Sequence, residues 1–388
     1  MLSDELVIEP LVKPLTPIER SVVDALGTGE SLSTVKTEEA VRGEVISAAI
    51  IALVSRGDRA LSISNLVIRG SFQIPITQHP IDLTFEDCNL DYVDASGTNL
   101  SQLRIKGSKI SSLRINQAVI SDGVYLINVG VEIINFSAIA VTCIQFSDVY
   151  SSVIRLTHLQ DVNSISFTRA LRGNLYIAQC DVRELSFKQV EWNPDDSDRI
   201  RLRGITAHDV KFYLCKNLAW LHCTFLESQE LSFKSMGFLM GDWLKGGVEL
   251  EDCNITQELR ISNSPMNGLK LKRVSTNILA DDEASWVPKG ELTLQNVSWQ
   301  ERIVEGQYGN QTDLGREWLR LQHNWCSEGY EQLAEEVSRS GDKQMARSLR
   351  VEAEQRLREW GMNEIGKSWS RLLRFTTGYG YKTYRIIP

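Results

Sequence analysis

The sequence predicts a mainly β protein, a right-handed solenoid of short strands with helices at both ends. Three observations carry this. Apolar residues recur every five positions through most of the 388 residues, and the spacing turns helical toward both termini. No apolar run approaches the ~20 residues a spanning helix needs; the longest, Val45 to Val54, is VISAAIIALV.

The totals permit a globular chain with a sizeable core. Hydrophobic residues make up 42% and charged residues 24%, a balance unlike that of disordered chains. The formal charge of −8 speaks against a protein coated in positive charge, while leaving room for a local basic stripe. Seven cysteines stand singly, with no C-x-x-C pair, and MLSDELVIEPLVKPL lacks the basic-then-apolar order of a secretory signal. The sequence-based expectation is reduced cytosol.

The repeat is built from apolar-x-apolar triplets. They begin at Leu83 and return every ten or eleven residues to Leu185, resume at Ile200, Val210, Leu221 and Leu231, and continue at Val248, Leu259 and Leu269. Five residues after most triplet starts comes another small or apolar residue, such as Cys88, Ala118, Val129, Ile139, Cys180, Ile205 or Cys253; Thr98, Ser108 and Ser264 are polar at that place. Helices repeat every 3.6 residues and strands every 2, so a sustained five requires a chain that turns after each short extended piece. Four such sides make a coil of about twenty residues.

The ends supply the caps that a stack of coils needs to cover its unpaired backbone groups. Thr16-Pro17-Ile18-Glu19 combines a capping Thr, Pro at the first helical position and Glu at the third, predicting a helix to about Leu26. A second helix is expected from about Thr37 to Arg56, apolar enough to seal the first coil. From about Gly309, TDLGREWLRLQHNW, SEGYEQLAEEVSRSG and DKQMARSLRVEAEQRLREWG read as helices. The expected organisation is a helical cap over 1–60, the solenoid over 61–300 and a helical module over 301–388.

FEDCNL at Phe85 to Leu90 and LEDCNI at Leu250 to Ile255 are remnants of the A-[DN]-L-x-x pattern. On these and the five-residue beat, residues Leu61 to Leu294 resemble the pentapeptide-repeat-like (quasi-pentapeptide) β-solenoids, whose right-handed β-helix is the fold the resemblance implies. A second stretch, about Tyr330 to Pro388, ends in W-x-x-LLRFTTGYGYKTYR and resembles the juxtamembrane region of bacterial membrane proteins of that kind. There, Trp369, Arg371, Arg374, Tyr379, Tyr381, Lys382 and Arg385 interleave basic and amphipathic aromatic residues, a mixture suited to a cytoplasmic headgroup surface. The resemblance implies a region at the cytoplasmic face of the inner membrane, anchored through segments beyond residue 388, and a homo-oligomer. One specific candidate among such membrane-anchored effectors is the membrane effector of the Hailong antiphage system, which resembles this reading in being a membrane protein held off by a single-stranded DNA signal.

Two motif matches fail on context. Gly361 to Ser368 fits G-x-x-x-x-G-K-[ST], yet it follows the charged VEAEQRLREW where a phosphate loop needs a buried strand. Thr376 to Gly380, TTGYG, is one substitution from a potassium-filter sequence, but a filter needs spanning helices to hold it. His208, Cys215, His222 and Cys223 lie close in sequence, but Cys215 and Cys223 fall on inward positions of the repeat and read as core thiols. No G-x-S-x-G or H-E-x-x-H occurs. The expectation is no enzyme, no metal and no cofactor.

The middle residue of each triplet must point outward, because strand side chains alternate. Arg104, Arg114, Arg155, Arg201, Lys211, Arg260 and Lys270 occupy such places, with Tyr125 and Tyr176, against only Asp94 and Glu249 among acids. Arginine, tyrosine and amides together suit phosphates and bases, so these nine are the candidate ligand-binding residues and single-stranded nucleic acid or a nucleotide oligomer the candidate partner. Long basic stems also simply cover strand surface, and both readings stand on the sequence. Alternate triplets should share a side: Arg114, Asn135, Arg155 and Tyr176 in one row, Arg104, Tyr125 and Gln145 in another. The function expected is the ligand-sensing and assembly region of a membrane-anchored effector; the alternative is a soluble DNA mimic acting on a topoisomerase.

Overall fold

The structure is a computed structural model that describes residues 14–27, 40–170, 173–192, 199–238, 246–306, 310–322 and 326–361. It is a parallel β-solenoid, 59% strand, with about 11 turns counted over two compact units, residues 1–217 and 218–388.

In the first unit the strands pair in parallel at offsets of about one coil. Val124 lies against Ile144, Ile144 against Ile165, Ile165 against Leu185 and Leu185 against Val210. A second stack runs Leu113, Ile134, Ile154, Leu175, Ile200. Both ends of every triplet are buried, as are the residues five places on wherever burial is described, among them Cys88, Ala118, Val129 and Ile205. The polar exceptions are satisfied internally: Ser108 accepts from the Cys88 N–H at 3.0 Å and donates to the Lys106 carbonyl at 2.9 Å, while Thr98 donates to the Ala95 carbonyl at 2.7 Å. Phe146, Phe167, Phe187 and Phe212 stack face to face with centroids 4.6, 4.8 and 4.4 Å apart, the spacing of the strands that carry them.

The turn between the pieces has one recurrent device. From Leu83 to Val210, the fourth residue after each triplet start has φ between 52° and 70°. This left-handed residue turns the chain while its N–H stays in the ladder, as when Gln117 donates to Ser137, Ala138 to Thr157 and His158 to Ala178, each at 3.0 Å. Gly97, Gly107 and Gly204 take that conformation freely, whereas Ala138, His158 and Leu214 carry a cost of about 1 kcal/mol each.

Helix α1, Pro17–Gly27, starts with the predicted reciprocal cap: the Thr16 N–H donates to Glu19 at 2.9 Å and the Glu19 N–H donates to the Thr16 hydroxyl at 3.3 Å. The second helix differs from its expected span. Residues 28–39 lie outside the described region, Ala40–Arg42 form strand β1 paired with Val67–Gln73, and helix α2 begins only at Gly43 and runs to Arg56. The reason is local: a Cβ on Gly43 would stand 2.4 Å from the Ser71 carbonyl oxygen, so the switch from strand to helix needs glycine there. Val45, Ile46, Ala49, Ile50 and Leu53 give α2 its buried face.

In the second unit Leu221, Val248, Leu269 and Leu292 form one stack, and Leu231, Leu259, Leu279 and Arg302 the other. An arginine thus occupies the last core position. Its Nη2 donates to both oxygens of Asp281 at 2.9 and 2.8 Å, and its guanidinium lies 4.6 Å over the Trp318 ring. Helices α3 (Gln311–Leu319), α4 (Glu328–Arg339) and α5 (Lys343–Gly361) follow. Side chains from this segment cap the last strand edge: Glu328 accepts from Asn296 N–H, Glu336 from Arg302 N–H at 3.2 Å, and Gln311 from Val304 N–H at 2.8 Å.

Candidate nucleic-acid interface

The middle triplet residues form in-register columns on the outside of the first unit. One column reads Asp94, Arg114, Asn135, Arg155, Tyr176, Arg201. The other reads Thr84, Arg104, Tyr125, Gln145, Ser166, Ser186, Lys211. These contain the two rows expected from the sequence; the first gains one turn at each end, and the second one turn before Arg104 and three after Gln145.

The columns differ in how their charges are spent. The Arg155 and Arg201 side chains are exposed and have no hydrogen bond, ion pair or ring contact among the described residues. Arg114 hydrogen-bonds a neutral group: with the Asn116 amide turned so that its oxygen faces the guanidinium, Arg114 donates to it at 2.6 and 3.0 Å, and Asp94 stands one turn away in the same column. In the second column Arg104 lies 5.4 Å over the Tyr125 ring. Lys211 donates to Asp209 at 2.7 Å, and beside that column Lys106 pairs with Glu86 at 2.5 Å. Burial works to raise the Asp209 carboxyl, but Lys211 and His208 together hold it below the usual carboxylate range. The Tyr125 phenol, bonded by the Cys143 thiol at 3.2 Å, is pushed above its ordinary pKa by that contact and by burial.

The candidates in the second unit also sit among carboxylates. Arg260 pairs with Glu258 at 2.8 Å and with Glu305 at 2.7 Å. Lys270 lies 4.8 Å over Trp220, in a column that runs His222, Glu249, Lys270, Thr293. Glu249 itself binds Lys272 at 2.8 Å.

One residue of the arginine face was missed from sequence. Arg203, exposed and without a described partner, follows Arg201 by two and shares its side of the strand. Its own column reads Asn116, Ser137, Thr157, Ala178, Arg203, with Thr157 donating to the Ser137 hydroxyl at 3.0 Å. The signal was present as RLR at Arg201 to Arg203; considering only the triplet centre passed over it.

Cys215 and Cys223 are core residues, and burial pushes the Cys215 thiol up to about 11. His208 meets Asp209 at 2.9 Å, and His222 meets Glu249 at 3.3 Å. A separate groove of about 420 Å³ beside α2, lined by Ile51, Val54, Arg56, Arg59, Ile76 and His79 among others, includes none of the candidate ligand-binding residues. Trp369, Arg371, Arg374, Tyr379, Tyr381, Lys382 and Arg385 lie outside the described residues, as does all but Gly361 of the phosphate-loop match. Among the described residues no helix is long and apolar enough to cross a membrane. No family model matches this chain, and no curated protein or solved structure does either.

Proposed function

We propose that this chain is the cytoplasmic ligand-sensing and assembly region of a membrane-anchored bacterial effector, of channel or pore type and serving antiphage defence, regulated by an anionic ligand such as a single-stranded oligonucleotide. The observation that carries the reading is the unpaired arginine column on one side of a protein whose net charge is −8. An acidic chain that leaves Arg155, Arg201 and Arg203 unneutralised, while Lys211 and Arg260 are held by carboxylates, has a face open to anions. The alternative of a DNA mimic needs acidic faces, and this column runs against it. The basic and aromatic residues from Trp369 to Arg385 are what support membrane anchoring, and the homo-oligomer follows from the pore reading, because a membrane pore closes as a symmetric ring.

Binding of a labelled single-stranded oligonucleotide at two salt concentrations tests the ligand. Affinity is expected to fall with salt and with Arg114→Glu and Arg155→Glu, but not with Lys13→Glu or Lys36→Glu. Absence of binding at low salt, or equal loss from both pairs, refutes it. The anchor is tested by the natural gene, which should continue past Pro388 into apolar stretches of spanning length; a stop codon there would defeat that part.

A further inference from the structure

Resting on that reading, we infer that the arginine column is a lengthwise track for one nucleic-acid strand, so that the protein selects its ligand by length. Arg114, Arg155 and Arg201 stand in register on alternate turns, with Asn135 and then Tyr176 on the turns between. Turns stack at ~4.8 Å, so successive arginines are ~10 Å apart and the three span ~19 Å. A stacked strand advances ~3.4 Å per nucleotide, so ~10 Å is about three phosphate steps. In a 5′-phosphorylated strand, with one phosphate per nucleotide, one arginine is therefore reached by any nucleotide, two need about four nucleotides, and all three need about seven.

Three features favour a strand over other anions. The cations form essentially one line, matching one backbone rather than the two of a duplex. Between them lie an amide and a phenol, with Asn116, Ser137 and Thr157 alongside, groups that hydrogen-bond sugars and base edges as well as phosphate. Arg203, placed beside the far end, gives the last turn two cations. Inorganic polyphosphate offers only charge to such a surface and would leave the donors and acceptors between the arginines unused.

The test is a length series of 5′-phosphorylated single-stranded thymidylate oligomers of two, four, seven and twelve nucleotides, titrated against the whole chain at several salt concentrations. Affinity should rise from two to seven and change little from seven to twelve. With three or four phosphates neutralised, the seven-mer should show a log–log salt slope of about −2 to −3, against about −0.7 for the two-mer. Arg201→Ala with Arg203→Ala should make the seven-mer slope shallower by about 1.4, whereas Lys106→Ala and Arg273→Ala, two cations held by carboxylates and outside the candidate set, should leave it unchanged. Circular dichroism confirms that each variant keeps its strand content. Equal binding of two-mer and seven-mer, equal effects from both pairs of substitutions, or equal binding of duplex or of seven-phosphate polyphosphate would overturn the track while anion binding stood. No binding of any oligomer would remove both.

Discussion

Replacing Glu19 with Gln isolates a charge that ties the first helix to the start of the solenoid. The Glu19 side chain is 1% exposed and accepts four hydrogen bonds: from the Thr16 N–H at 2.9 Å, the Arg42 N–H at 3.1 Å, and the Arg42 guanidinium at 2.8 and 2.9 Å. The Arg42 side chain, first among the causes, lowers the Glu19 carboxyl from its ordinary 4.5 to about 2 despite burial. At 1.36 kcal/mol per pH unit this drop is worth roughly 3 kcal/mol, and two charge-assisted bonds at ~1.5 kcal/mol each give the same size. Because the folded pKa lies below the unfolded one, the stabilisation is complete above about pH 4.5 and is lost as pH falls toward 2. Native-state hydrogen exchange of the α1 amides, corrected for intrinsic rates, should therefore show Glu19→Gln costing roughly 3 kcal/mol at pH 7 and about half of that at pH 3. An equal loss at both pH values, or less than about 1 kcal/mol at pH 7, would refute the charge-pair reasoning.

Two further outcomes follow from the stacking register. Ile144→Asp places a charge between Val124 and Ile165 and should abolish folding, at several kcal/mol, while Gln145→Asp, on the outer side, should lose about 1 kcal/mol or less in thermal melts followed by circular dichroism; the opposite ranking would mean the register is off by one. Asp281→Ala strands an arginine that is 2% exposed and should cost about 3–5 kcal/mol by urea unfolding, whereas Asp281→Leu with Arg302→Leu continues the apolar stack and should cost far less; similar losses from both would show that the ion pair is not what makes the single change costly.

The sequence by itself determined the solenoid. Its five-residue beat, from Leu83-x-Phe85 to Leu269-x-Leu271, named the buried positions, since a narrow core admits side chains only where the chain points inward and a one-residue slip would expose every one of them. The same beat ordered the arginines into two rows, because the pairing offset of about twenty residues returns every second triplet to one side. Three matters were decided only by tertiary structure. Which cations are free depends in part on the coil: the second carboxylate on Arg260 is Glu305, brought near by the coil, whereas Asp209 and Glu258 stand only two residues before Lys211 and Arg260 on the same strands and were legible in the sequence as D-x-K and E-x-R. Three corner residues gave no sign, because Ala138 and His158, whose N–H groups stay in the ladder, and Leu214 hold positive φ against their own preference. The end of the core was hidden because Arg302 breaks the apolar pattern, and only Asp281 from the previous turn and Trp318 from α3 make a buried guanidinium tolerable there.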